Sequence, residues 1–290
     1  MRSNKASWTA EISAIFRATE SIRPEEDQVC HDPYARHFIR PTYRILLKSR
    51  LLALSVLWCA IERRFPGATG IHVARVRFID DRLATCLDDG FGQVVILGAG
   101  YDTRAYRFDG LKDKKMFELD HPATQNVKKE KLIRLLGTLP GHVVYVPINF
   151  EHLPISRALF DFGYDAEVKT LFIWEGVSYY LSREAVDTVL AFVSSYAAKG
   201  SAIVFDYMDQ SVVQGRSGMP LAEKMVGFQE RKGEPFVFGL PPHGVEQFIK
   251  SRGFSQVRTI SHDWLKRTYF KGRNKNRQLC PFWGIVDATV

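Results

Sequence analysis

The sequence is poor in cysteine and has none in close pairs. Its four cysteines, Cys30, Cys59, Cys86 and Cys280, are far apart and form no CxxC. That argues against a structural zinc site, and no His, Cys or Asp spacing suggests another metal. Long apolar runs are also missing. The longest, residues 51–61, is far below the roughly 20 residues needed to span a bilayer. Met1-Arg2-Ser3-Asn4-Lys5 leads into a polar segment rather than an apolar one. No secretory leader is therefore expected, and a cytoplasmic protein with reduced thiols is. Acid is in the minority: 40 Lys+Arg face 32 Asp+Glu, a net charge of +8. Such a balance admits an anionic partner, whether nucleic acid, acidic membrane or acidic small molecule, and does not choose among them. There is no internal repeat or low-complexity tract. With 46% apolar and 25% charged residues in 290, the chain reads as one globular α/β unit carrying a cap or insertion.

Residues 1–90 read as helical and as a cap integrated with the core. The stretch 43–65 reads as one long amphipathic helix with basic residues at Arg44, Lys48, Arg50, Arg63 and Arg64, stopped by Pro66-Gly67. A second helix is expected over 73–87, with Val76, Ile79, Leu83 and Leu87 on one face. The period then changes. Val94-Val95-Ile96-Leu97 reads as a buried parallel strand. Further strands are expected at 116–120, 142–148, 170–174, 202–207, 256–260 and 282–288. Helices are expected at 123–136, 183–198 and 245–252. Alternation of this kind predicts a doubly wound, mostly parallel seven-stranded sheet over 91–290. Glycines and prolines crowd 209–242, which reads as a lid or insertion. The basic cluster 271–277 is expected in a hairpin before the last strand.

Gly98-Ala99-Gly100-Tyr101-Asp102-Thr103-Arg104 follows a strand and opens a helix. Glycines there let the backbone turn tightly and approach a ligand, and the helix N-terminus favours an acceptor or a negative group. Asp102 and Thr103 are plausible caps. Glu118 lies 20 residues after Gly98, and both Glu118 and Asp120 end the next strand. Acids at that spacing commonly take ribose hydroxyls. A dinucleotide fingerprint needs a third glycine, and Thr103 stands there. An adenosine ligand without pyrophosphate fits better, as in S-adenosylmethionine (SAM). Ser178 lacks the glycines of a hydrolase nucleophile elbow.

Several ordered segments carry a family resemblance: Ser21-Ile22-Arg23-Pro24, Asp32-Pro33-Tyr34-Ala35, Ala74-Arg75-Val76-Arg77-Phe78-Ile79-Asp80-Asp81, the glycine turn, Glu118-Leu119-Asp120-His121-Pro122, Pro147-Ile148-Asn149-Phe150 and Trp174-Glu175-Gly176-Val177-Ser178-Tyr179-Tyr180-Leu181. With these the chain resembles the leucine carboxyl methyltransferases, SAM-dependent O-methyltransferases, especially bacterial members acting on small molecules. The resemblance implies a class I methyltransferase sheet with SAM as cofactor. It implies that Arg75 pairs with the SAM carboxylate and that Gly98, Ala99 and Gly100 form the turn beneath the methionine part. It puts Asp120 on the ribose hydroxyls, while Glu118 is either a second such acid or packed. Asn149 and Phe150 fall near the adenine, where the family has Asp and an apolar residue. Glu175 falls where cofactor and acceptor meet. Tyr179 and Tyr180 either orient the acceptor or pack beneath the lid.

The reaction implied is in-line methyl transfer to an oxygen of a small molecule, secondary metabolites included. A carboxylate acceptor needs no base and would be drawn by Arg104, Arg107, Arg216, Arg231 or Lys232. A hydroxyl acceptor needs one, for which His121 and His243 are candidates. Competing expectations are methylation of a protein C-terminal leucine carboxylate, transfer to nitrogen or carbon, and a non-catalytic SAM-binding protein. No RNP, KH or zinc-finger signature supports nucleic-acid binding. Residues 43–65 either cap the site or touch an anionic membrane.

Overall fold

The computed structural model describes residues 7–151 and 154–290; the polar leader Met1–Lys5 considered above lies outside them. Seven strands form one sheet: β1 (Gln93–Leu97), β2 (Lys115–Asp120), β3 (Val143–Pro147), β4 (Thr170–Trp174), β5 (Ala202–Met208), β6 (Gln256–Ile260) and β7 (Trp283–Thr289). Their order is β3-β2-β1-β4-β5-β7-β6. Strands β1 to β5 pair in parallel, and β7 runs antiparallel between β5 and β6. The order reverses between β1 and β4, which makes their C-terminal ends the crevice where such sheets bind ligands.

The unbroken apolar run of β1 follows from cover on both faces. Val94 and Ile96 join a core with α2 (Ala68–Asp88), where Val76, Ile79 and Leu83 are buried. Val95 and Leu97 join the opposite core, built from α4 (Ile155–Asp161) and α5 (Arg183–Tyr196). A third cluster ties α1 (Trp8–Glu20) to Phe38, Tyr101 and Leu132, the last on α3 (Pro122–Leu136). Within 209–242 lies α6 (Pro220–Lys232), begun by a proline at its first turn and ended by Gly233 at φ +78°.

Two expectations are corrected. Residues 43–65 are not one helix. They divide into Pro41–Leu46, Arg50–Leu52, a π-helical turn Ala53–Trp58 and Cys59–Arg64. The Ser49 side chain accepts from the Leu52 amide and caps a fresh start, which breaks the run. Ile45 and Leu51 are 62% and 81% exposed, so the segment does not bury one apolar stripe. Residues 271–277 are not a hairpin. They form a 3-10 turn, Gly272–Asn276, because Asn274 donates to the Asp27 carbonyl and Arg277 grips Glu20. No helix among the described residues is long and apolar enough to cross a membrane.

Candidate active site

A cavity of about 960 Å³ opens at the C-terminal ends of β1, β4 and β5. Its floor is the turn after β1. Gly98 has φ +71°, and a Cβ there would stand 2.4 Å from Val177 Cγ2. Only glycine permits both the turn and the close approach of the loop after β4. The amide of Gly100 donates to Asp120 Oδ2 at 2.5 Å, and that of His121 to Oδ1 at 2.6 Å. These bonds aim the carboxylate while leaving lone pairs for a ligand. Burial pushes the Asp120 pKa up to about 6, against the pull of those two amides.

Above the floor lies a charge network. Glu175 Oε1 accepts from Arg75 Nε at 3.0 Å, and Oε2 from Arg104 Nη1 at 2.9 Å. Burial alone would raise the Glu175 carboxyl, but the Arg104 and Arg75 guanidiniums outweigh it and hold it well below the usual range. Arg75 Nη1 also donates to Asp206 at the end of β5 and, at 3.4 Å, to the Tyr179 hydroxyl. Asp206, 1% exposed, in turn accepts from the Gly176 amide at 2.6 Å. Arg75 Nη2 meets His72 Nδ1 at 3.0 Å. Arg104, 2% exposed, is held by Asp80, Asp102 and Glu175, and Arg107 by Asp80.

Arg75, Gly98, Ala99, Gly100, Asp102, Asp120, His121, Asn149, Phe150, Glu175, Tyr179 and Tyr180 all line this one cavity. Among the catalytic and cofactor-binding residues expected from the sequence, Glu118 and His243 do not. Glu118 points into a separate buried cluster, because Lys128 Nζ at 2.7 Å and the Tyr106 hydroxyl at 3.1 Å hold it there. His243 sits on the exposed 3-10 turn Pro242–Gly244, away from the lining. His121 caps α3, its Nδ1 accepting from Ala123 at 3.2 Å. Asn149 Oδ1 accepts from the Glu151 amide at 3.2 Å. Tyr179 and Tyr180 both pack on Phe236 and both line the cavity. The cations named from the sequence as attracting an acidic acceptor are not in the cavity wall. Arg104 and Arg107 are bound by carboxylates, and Arg216, Arg231 and Lys232 lie outside the lining.

Sequence reading missed Asp206, His72, Gln229 and Glu234. Asp206 had a signal, since an acid inside a fully buried strand must find a partner. His72 had one too, three residues before Arg75 on the same helical face. Gln229 and Glu234 gave none.

The sheet order, the glycine turn at its reversal and the acid ending β2 define a class I methyltransferase. A solved structure from Thermobifida fusca, described provisionally as a methyltransferase, has the same fold at TM-score 0.57 and 13% identity. That alignment covers 99% of this chain and 96% of the other. The leucine carboxyl methyltransferase family model matches residues 10–194. A Bacillus subtilis relative, YktD, whose name assigns it provisionally to the SAM-dependent methyltransferases, is 31% identical over 95% of each chain. A similarly named Mycolicibacterium gilvum protein is 30% identical, covering 89% of this chain and 87% of its own. The chain belongs to the leucine carboxyl methyltransferase family.

Proposed function

We propose that this methyltransferase binds SAM on the Gly98–Asp120 side of the cavity and transfers methyl to a hydroxyl oxygen of a small, largely apolar molecule on the other. The observation that carries the reading is Asp120. Its carboxylate is oriented by two backbone amides at the sheet's reversal point, with acceptor positions left over for a ribose diol. Arg75 and Glu175, one charge of each sign, suit the zwitterionic end of the cofactor. When bound, SAM supplies a methyl group already activated on a sulfonium. The protein's work is to align the acceptor oxygen and exclude water.

A hydroxyl is favoured over a carboxylate by the charges in the wall. Of the lining charges, Arg17 is bound by Asp32, Arg75 by Glu175 and Asp206, and Asp102 and Glu175 by Arg104, while Asp120, Glu151 and Glu234 against Arg64 are in no ion pair among the described residues. Such a wall repels an anion more than it attracts one. Trp8, Phe16, Phe65, Phe228, Phe236 and Trp283 give the acceptor side an aromatic surface. Glu234 Oε2 is buried without a hydrogen-bond partner, and we assign it to take the hydroxyl proton. The test is calorimetric titration with SAM, followed by transfer of isotope-labelled methyl to a phenol such as 2-naphthol and an acid such as 2-naphthoate. A methyl ether that survives alkali is expected. Absence of SAM binding, or a base-labile ester as the only product, overturns the reading.

A further inference from the structure

The acceptor side carries polar atoms that the fold itself leaves without partners. His72 is 7% exposed and lines the cavity one turn before Arg75. Its Nδ1 lies 3.0 Å from Arg75 Nη2. A guanidinium nitrogen can only donate, so Nδ1 must accept, and the single ring proton belongs on Nε2. That Nε2 is buried and has no hydrogen-bond partner. Phe16 packs edge-to-face on the ring, with centroids 5.2 Å apart, and fixes its plane. Burial, and then the Arg75 charge, push the His72 pKa well below its usual value, so the ring stays neutral. Gln229 on α6 is also 7% exposed and also lines the cavity. Its Nε2 donates to the Tyr180 hydroxyl at 2.7 Å, while its Oε1 is buried and unpartnered. Leaving a buried donor or acceptor unpaired is costly. One of each, on two separate elements that line a single cavity, is a complementary donor and acceptor for a ligand.

Resting on the cofactor and acceptor sides assigned above, we propose that His72 and Gln229 select a neutral aromatic acceptor bearing a carbonyl-type oxygen close to an O–H or N–H. His72 Nε2–H donates to the oxygen, and Gln229 Oε1 accepts from the donor. Phe16, Tyr180 and Trp283 face the rings. With its tautomer fixed by Arg75, His72 has no free lone pair for a proton. It is a positioning residue rather than the base.

The probes are 3-hydroxy-2-naphthamide, which carries the matching groups, and 3-hydroxy-2-naphthoate, which replaces the amide with an anion. Each is titrated into the protein with and without S-adenosylhomocysteine (SAH). Failure of cofactor binding is thus read separately from the preference between probes. The amide should bind at least about tenfold more tightly than the acid. His72→Phe and Gln229→Leu should each weaken amide binding by about tenfold, and His72→Gln, which restores an N–H, should recover most of the loss. Gln229 bonds Tyr180 rather than Arg75, Glu175 or Asp206, so Gln229→Leu checks the site without removing a bond of the charge network. Binding of the acid as tightly as the amide, binding of neither probe, or full amide affinity in both variants overturns the inference.

Discussion

Arg75 answers for two acids at once. Without it, Glu175 and Asp206 would face each other in a buried space with only Arg104 and a backbone amide to offset them. The guanidinium fork joins β4 to β5 through side chains supplied by α2. Asp120 is the opposite case: its hydrogen bonds come from two amides and it is in no ion pair among the described residues, so burial outweighs those amides and the Lys128 charge, and its pKa rises to about 6. The sign of the consequence follows directly. Below pH 6 the folded protein keeps this proton, and a neutral acid is the poorer acceptor for two hydroxyls. SAM affinity should therefore tighten as pH rises from 5 to 7. About a tenth of the group is ionised one unit below its pKa, so the gain should be about tenfold. Stability moves the other way: a raised carboxyl pKa makes this group's contribution fall as pH climbs from the ordinary 3.8 toward 6. Calorimetry across that window measures the first effect, and Asp120→Asn should flatten it. A pH-independent affinity in the wild type would remove Asp120 from the ribose site.

At the scale of elements, α2 is bounded by two glycines that look alike in sequence and differ in space. Gly67 precedes it at φ +81° and Gly90 follows it at φ +78°. A Cβ on Gly67 would stand 2.6 Å from Cys280 N and Leu279 C, whereas one on Gly90 would meet nothing within 4 Å. Gly90→Ala should therefore carry only the left-handed backbone cost, about 1 kcal/mol. Gly67→Ala should cost at least about twice that, because backbone cannot swing aside as a side chain can. Thermal unfolding of the two variants decides it, and equal shifts would mean that residues 279–280 yield freely. Much at this scale was legible beforehand. The runs at 170–174 and 256–260 coincide with β4 and β6, because β-branched and aromatic runs between polar breaks have few alternatives. The glycine turn was legible because a positive φ needs glycine. The break at Ser49 was not, since a serine inside an apolar pattern reads equally as cap or as surface. Nor were the partners of Arg75. Asp206 lies 131 residues away, and only the sheet order brings it alongside.

For the whole molecule, the question is what holds the N-terminal helix over the cavity. Trp8, Ile12, Phe16 and Arg17 of α1 form part of the cavity wall, so its volume depends on that helix staying docked. Three of its attachments bear on the question. Arg17 bonds the Tyr101 carbonyl at 2.6 Å and Asp32 at 2.7 Å, directly above the glycine turn. Apolar packing of Ala14, Ile15 and Ala18 supplies the second. The third reaches the far end of the chain, where Arg277 grips Glu20 with two bonds of 2.8 and 2.9 Å, and Asn274 donates to the Asp27 carbonyl. The basic stretch 271–277, which suggests a phosphate-binding surface when read alone, is thus engaged in part by acids of the cap. Glu20→Ala removes a buried carboxylate that accepts twice from Arg277 and once from the Val29 amide, a loss of about 3 kcal/mol. The strands of β1 and β4 do not share that contact. Hydrogen exchange should therefore quicken by about a hundredfold in residues 8–20 while β1 and β4 stay protected. SAM affinity should fall with it, because the wall opens. Uniform acceleration across the chain would show instead that cap and sheet unfold as one unit, and that Glu20 anchors the whole protein rather than its cap.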